Sequence, residues 1–180
     1  AMPSNAEDAV GLLRYALRDN NPTIFFEHRK MLDHSWARRP YPGDQYVIPF
    51  GKAKTITAGD RMTVVSWGGM VHMCQSAIEQ TGINAELIDL RTLRPWDKQA
   101  VLDSVKKTGR CLIVHEDNIS AGFGAEIAAV LAKEAFFYLD APIERLATAD
   151  IGNPHDPQLM AAALPNTDTI ADKIIGLDKI

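Results

Sequence analysis

The chain has 180 residues, 46% of them hydrophobic, and its 19 Lys and Arg stand against 23 Asp and Glu for a net charge of −4. That length suits one ordinary domain, or one domain with part of another, and the apolar content supports a core and excludes a disordered chain. No basic block marks a nucleic-acid surface, and no Lys/Arg-rich amphipathic face marks a membrane surface. The two cysteines, Cys74 and Cys111, lie inside apolar runs and read as reduced core thiols rather than a disulfide or metal pair. With no signal or transit peptide and no run of about 18 apolar residues, the expectation is a soluble protein of a reducing compartment.

In chain order, Ser4 with Glu7 three residues on fits a capping box, and Val10, Leu13 and Leu17 continue one helical face. Asp19-Asn20-Asn21-Pro22 stops that helix. Thr23 to Glu27 reads as a buried strand, and the Pro-, Gly- and charge-rich segment from His28 to Pro49 reads as an interdomain linker. One helix and one strand do not make a domain, so this opening either pairs with the second domain or is the tail of an upstream one.

After the linker the pattern is regular. Ala53 to Thr57 and Met62 to Ser66 flank Ala58-Gly59-Asp60, a hairpin-like turn. Met70, Met73, Cys74, Ala77 and Ile78 form a helical stripe closed by Gly82. Leu87 to Leu90 is a short apolar strand, Arg91 to Pro95 a charged turn, and Asp97 the cap of a helix carrying Val101, Leu102 and Val105. Trp96 and Val101 are spaced for a hydrophobic staple. Gly109 ends that helix, Cys111 to His115 is the next strand, and residues 122–135 the next helix. Ile143 to Ala147 is a further strand, Asp156-Pro157 opens a short helix, and Thr167 caps a last one. Alternating strands and helices predict an α/β fold: a mainly parallel sheet with helices on both faces, its functional edge beyond the strands' carboxyl ends.

Several residue groups invite a chemical reading. Gly122-Phe123-Gly124 looks like the start of a dinucleotide loop, but Ile127 stands where the third glycine belongs, and close packing at a helix start competes with it. Ser66-Trp67-Gly68-Gly69 reads as an anion-binding turn or simply a tight one. His115-Glu116-Asp117 is a titratable cluster at a strand end, with a buried hydrogen-bonded histidine and solvated carboxylates as the structural alternative. Glu27-His28 and His155-Asp156 are pairs common by chance, and no two histidines have zinc spacing. Asp19, Asn20 and Asn21 offer hard oxygens to a cation or form an Asx-type turn.

A resemblance runs along the chain. Pro3-Ser4-Asn5-Ala6, Arg18-Asp19-Asn20-Asn21-Pro22, Phe25-Phe26-Glu27, Val64-Val65-Ser66-Trp67-Gly68 and the run from Ile88 to Asp97 carry its first half. Lys107-Thr108-Gly109-Arg110, His115-Glu116, Gly122-Phe123-Gly124-Ala125-Glu126 and Leu139-Asp140-Ala141-Pro142-Ile143 carry its second. Together they resemble the β subunit of the E1 component of 2-oxo acid dehydrogenase complexes, in its branched-chain, acetoin and pyruvate forms. The resemblance implies residues 1–33 as the remnant of a pyrimidine-binding domain, 34–49 as linker, and 50–180 as a transketolase-type C-terminal domain. It implies an α2β2 enzyme that uses thiamin diphosphate and magnesium to decarboxylate a 2-oxo acid and acylate a lipoyl group on E2. A related thiamin enzyme such as deoxyxylulose-phosphate synthase is the alternative.

The resemblance assigns no catalytic residue here, because the cofactor-activating glutamate and a catalytic histidine belong to the family's upstream region. The chain alone is therefore expected to be inactive. By position, Ala16 (through its carbonyl), Asp19 and Asn21 match ligands of a structural potassium ion, and Asp140 matches a residue that docks the subunit-binding domain of E2. Expected partners are the E1 α subunit, a second β subunit and E2, with a cytoplasmic location, or the mitochondrial matrix in a eukaryote. Arg91 and Arg94 are expected to hold the C-terminal domain against neighbouring domains or subunits.

Overall fold

The computed structural model describes residues 1–180. Its strands are β1 (Lys54–Thr57), β2 (Met62–Ser66), β3 (Ala85–Asp89), β4 (Cys111–Asn118) and β5 (Glu144–Thr148). Its helices are α1 (Ala6–Ala16), α2 (Arg29–Asp33), α3 (Met70–Thr81), α4 (Lys98–Thr108), α5 (Phe123–Glu134), α6 (Pro157–Ala163) and α7 (Thr167–Asp178). The five strands form one sheet in the order β1-β3-β2-β4-β5, parallel except for β1.

β2, β3 and the first part of β4 are buried throughout, as near-continuous apolar strands covered on both faces must be. Alternate residues divide between two cores. Met62, Val64, Leu87, Leu112 and Val114 pack with α3 and α7 on one side. Val65, Ile88, Cys111 and Ile113 pack with α4 and α5 on the other. One polar cluster interrupts this pattern: buried Thr63 meets Ser104 at 2.7 Å and Thr108 at 2.8 Å, so each hydroxyl brought into the core has a partner. Cys74 and Cys111 are buried free thiols, and burial pushes both up to about 12, which makes them inert.

The expected hairpin of the first two strands does not form. β3 lies between them, and β1 pairs antiparallel with β3, Thr55 opposite Ile88. Gly59 packs against the backbone of Asn84 to Glu86, and the Asp60 and Arg61 N–H groups donate to the Asn84 carbonyl, so the turn crosses the start of β3. Burial explains the order: β2 is buried along its length and belongs in the centre, whereas Lys54 and Thr55 are exposed and suit an edge.

The predicted helix ends hold where the side chain reaches a backbone N–H. Asp97 caps α4 through Ala100 at 3.2 Å, and Gly82 and Gly109 close α3 and α4 in the left-handed conformation. Asp156 caps α6. Trp96 packs against the second core, to which Val101 belongs. Two caps shift by one residue. Asn5, not Ser4, accepts the Asp8 N–H of α1, because the Ser4 hydroxyl is taken by Asp89. Asn166, not Thr167, caps α7 in a reciprocal box with Thr169. Asp97 serves twice, since its second oxygen accepts the Ala53 N–H at 3.1 Å. Asp97→Ala is therefore expected to cost about 1–2 kcal/mol, read as a lowered urea midpoint at unchanged m-value.

The N-terminal segment departs most from expectation. Residues 23–27 form no strand, with Ile24 73% and Phe26 54% exposed; Ile24 and Phe26 bond through their backbone to Ala1 instead. On α1 the buried residues are Asp8, Gly11 and Leu12, while Leu13 and Leu17 face outward. The segment after it includes α2 and a 3₁₀ turn at Ser35–Ala37. It is pinned by Trp36 stacked on His72 (4.3 Å, 5°) and by buried Ile48 against Gly11.

Candidate functional site

The carboxyl ends of the parallel strands, the expected ligand edge, are covered by the chain's own N-terminal segment. At the end of β2, Gly68 turns with a left-handed φ of 59°, and a side chain there would collide with Met2. Gly69 lies under the His28 ring, and Ser66 donates its hydroxyl to the Val114 carbonyl. This is a tight, occupied turn rather than an anion cradle. At the end of β3, the Ser4 hydroxyl reaches Asp89 at 2.5 Å and Arg91 donates to Asp8 at 2.7 Å. At the end of β4, His28 pairs with Glu116 at 2.7 Å.

His115 is fully buried with its ring stacked on Trp67 (5.2 Å, 10°), and neither ring nitrogen has a hydrogen-bond partner. That corrects the expectation of a hydrogen-bonded histidine. Burial pushes the imidazole down, so it packs as a neutral aromatic ring. Gly122 and Gly124 are glycines for this reason: a Cβ at either position would overlap the His115 ring. The helix-packing reading of Gly122-Phe123-Gly124 thus stands over a nucleotide loop. Glu116 is paired rather than solvated, and Asp117 is exposed. His155 is exposed beside the α6 cap.

What remains open at this edge is a cavity of about 300 Å³ walled by Met2, Phe26, Trp67, Leu93 and Phe123 with Glu116 and Asp117. It brings together no nucleophile with a base. No three His, Cys, Asp or Glu side chains are arranged to hold a metal ion. With His115 filling the glycine turn, the residues present do not fit a diphosphate with its magnesium.

At the end of α1, the Asp19 N–H donates to the Tyr15 and Ala16 carbonyls, and Asn21 donates its amide to the Asp19 carboxylate at 3.1 Å. Ala16, Asp19 and Asn21 are thus neighbours, and their carbonyl and carboxylate oxygens suit a hard cation. Three residues supply only part of the roughly six to eight oxygens that such an ion takes. Asp140 lies elsewhere, exposed at the far end of the domain, its N–H donating to the Gly109 carbonyl at 2.8 Å. Beside it, Phe136, Phe137 and Tyr138 project into solvent, Phe137 being 94% exposed. Arg91 is buried in its pair with Asp8, while Arg94 is exposed.

Sequence reasoning missed the pairs His28–Glu116, Asp8–Arg91 and Ser4–Asp89. Their partners stand 88, 83 and 85 residues apart, so no local spacing signals them.

A mainly parallel α/β sheet whose carboxyl edge carries the chain's own N-terminal segment defines the class of fold. The chain belongs to the transketolase C-terminal domain family, whose model matches residues 51–170. Its relatives are more particular. It is 40% identical over 173 residues to the 2-oxoisovalerate dehydrogenase subunit beta of Bacillus subtilis, covering 94% of this chain and 52% of that protein. It is 42% identical over 169 residues to the pyruvate dehydrogenase E1 component subunit beta of Rickettsia bellii, covering 91% and 50%. The chain thus spans about half the length of these curated relatives. A solved split-gene transketolase, described as an inactive beta4 tetramer, shares the fold at a TM-score of 0.72 and 17% identity, over 98% of this chain and 56% of that one. No helix of the chain is long and apolar enough to cross a membrane.

Proposed function

We propose that the chain is the C-terminal portion of an E1 β subunit of a thiamin diphosphate-dependent 2-oxo acid dehydrogenase, and that it serves subunit assembly and E2 docking rather than catalysis. The observation that carries this is the filled carboxyl edge, in a chain about 40% identical to E1 β subunits along nearly its whole length. The edge where an independent α/β enzyme binds its ligand here holds residues 1–33. We read those residues as the remnant of the pyrimidine-binding domain, residues 34–49 as linker, and residues 50–180 as the transketolase-type domain. Exposed Leu13, Leu17, Ile24 and Phe26 support this reading, since each leaves a large apolar side chain in solvent that an upstream domain or partner would cover. The relatives' names favour this assignment over deoxyxylulose-phosphate synthase.

Thiamin diphosphate and magnesium belong to the assembled enzyme, between an α subunit and the upstream part of β. Potassium is assigned to Ala16, Asp19 and Asn21, completed by oxygens from the upstream domain. Asp140 is assigned to E2 docking, with the aromatic ridge Phe136–Tyr138 as apolar contact and the carboxylate setting register against a basic partner. Calorimetric titration of this chain with thiamin diphosphate and magnesium is expected to show no binding, and 2-oxo acid turnover by the chain alone is expected to be absent. Saturable binding or turnover would overturn the reading.

A further inference from the structure

Where α1 meets the end of β3, two fully buried carboxylates, Asp8 and Asp89, face one guanidinium. The guanidinium is committed to Asp8: Arg91 Nη2 donates to one Asp8 oxygen at 2.7 Å, and the Asn5 amide donates to the other at 2.8 Å. Asp89 receives only neutral donors, the Ser4 hydroxyl at 2.5 Å and the Arg91 backbone N–H at 2.9 Å. Tyr46, in the segment before β1, also faces this seam. Its phenol is pushed up by burial first, then by the charges of Glu7 and Asp8, with Arg91 opposing. An ionised Asp89 therefore adds a second negative charge to a buried seam in which the one buried cation already serves Asp8.

We propose that Asp89 is a proton-operated latch: it holds a proton while residues 1–16 sit on the domain, and losing that proton weakens the seat. Both forms of the carboxyl have partners. Protonated, its O–H donates to Ser4 Oγ; ionised, it accepts from the same hydroxyl. The charge changes and the Ser4 bond reverses direction, and the proton leaves to solvent when the seam opens.

The direction follows from geometry and burial together. Desolvation pushes the Asp89 carboxyl up to about 7, with the Ser4 bond opposing and the Asp8 charge adding to the rise. The closed seam thus binds a proton that an opened one releases, between the ordinary carboxylate range and about 7. Opening grows more favourable as pH rises through that window, by about tenfold per pH unit, and levels off above it. The seam is made by this chain's own residues, whatever enzyme the chain serves.

Hydrogen exchange of α1 amides in the full chain, corrected for intrinsic rates and measured from about pH 5 to 8, tests the latch. The wild type is expected to show α1 opening rise about 50-fold from pH 5 to 7 and level off by pH 8. Asp89→Asn keeps an oxygen for the Arg91 N–H and gains a donor for Ser4, so its profile should be flat, with strong protection at pH 8. A flat wild-type profile, or the same slope in the variant, would overturn the proposal. Should the variant not fold, a ¹³C titration of the wild-type Asp89 carboxyl decides: a midpoint near 7 supports the latch, and one in the ordinary carboxylate range sinks it.

Discussion

Arg91→Ala is expected to lower stability by about 3–5 kcal/mol, because it leaves the fully buried Asp8 carboxylate without its guanidinium. The loss does not come from the backbone. Arg91 sits at a φ of 60°, and alanine carries the same left-handed strain. Asp8→Leu combined with Arg91→Met removes both charges from the seam and should recover most of the loss, whereas either change alone should not. Urea unfolding of five proteins measures this: wild type, Arg91→Ala, Asp8→Leu, Arg91→Met and the double variant. A single Arg91→Ala variant within about 1 kcal/mol of wild type would mean that the seam does not depend on the ion pair.

Leu112→Ala is expected to cost about 2–5 kcal/mol. Leu112 is fully buried on β4, opposite Val64 of β2, and packs into the core shared with α3 and α7. Leu13→Ala is the informative contrast. Leu13 is half exposed on α1, so its truncation should change the stability of the isolated chain by no more than about 0.5 kcal/mol. If the two variants lose equal stability, the division between domain core and outward-facing α1 is wrong.

The sheet and its helices were legible because their signals are local and physical. The stripe from Met70 to Ile78, the Asp97 cap and the glycine stops at Gly82 and Gly109 depend on neighbours a turn away, and the structure keeps them. The strand order was less legible. Nothing near Ala58 to Asp60 reveals that β3 inserts between β1 and β2; that depends on which strand is buried on both faces. Thr23 to Glu27 misled because an apolar run signals burial without naming the partner, and in this chain no sheet strand pairs with it. The edge chemistry was the least legible. His115-Glu116-Asp117 looked titratable in sequence, yet His115 is a neutral packed ring and Glu116 is the partner of His28, 88 residues away.

The charged turn from Arg91 to Pro95 shows the same limit in reverse. In sequence it had the placement of a ligand edge, at the end of a buried strand. In the structure Arg91 turns inward to Asp8 and the Met2 N–H donates to its carbonyl, so the turn fastens the N-terminal segment to the domain. Arg94 remains exposed, beside the pocket shared by Asp19, Asn21 and Phe26.

Docking to E2 is the proposed role of this domain. Calorimetric titration of the chain with the subunit-binding domain of a 2-oxo acid dehydrogenase E2 tests it most directly. Saturable binding is predicted, weakened about tenfold by Asp140→Ala and by Phe137→Ala, each with unchanged thermal unfolding. Absence of binding, or equal affinity in all three proteins, would contradict it.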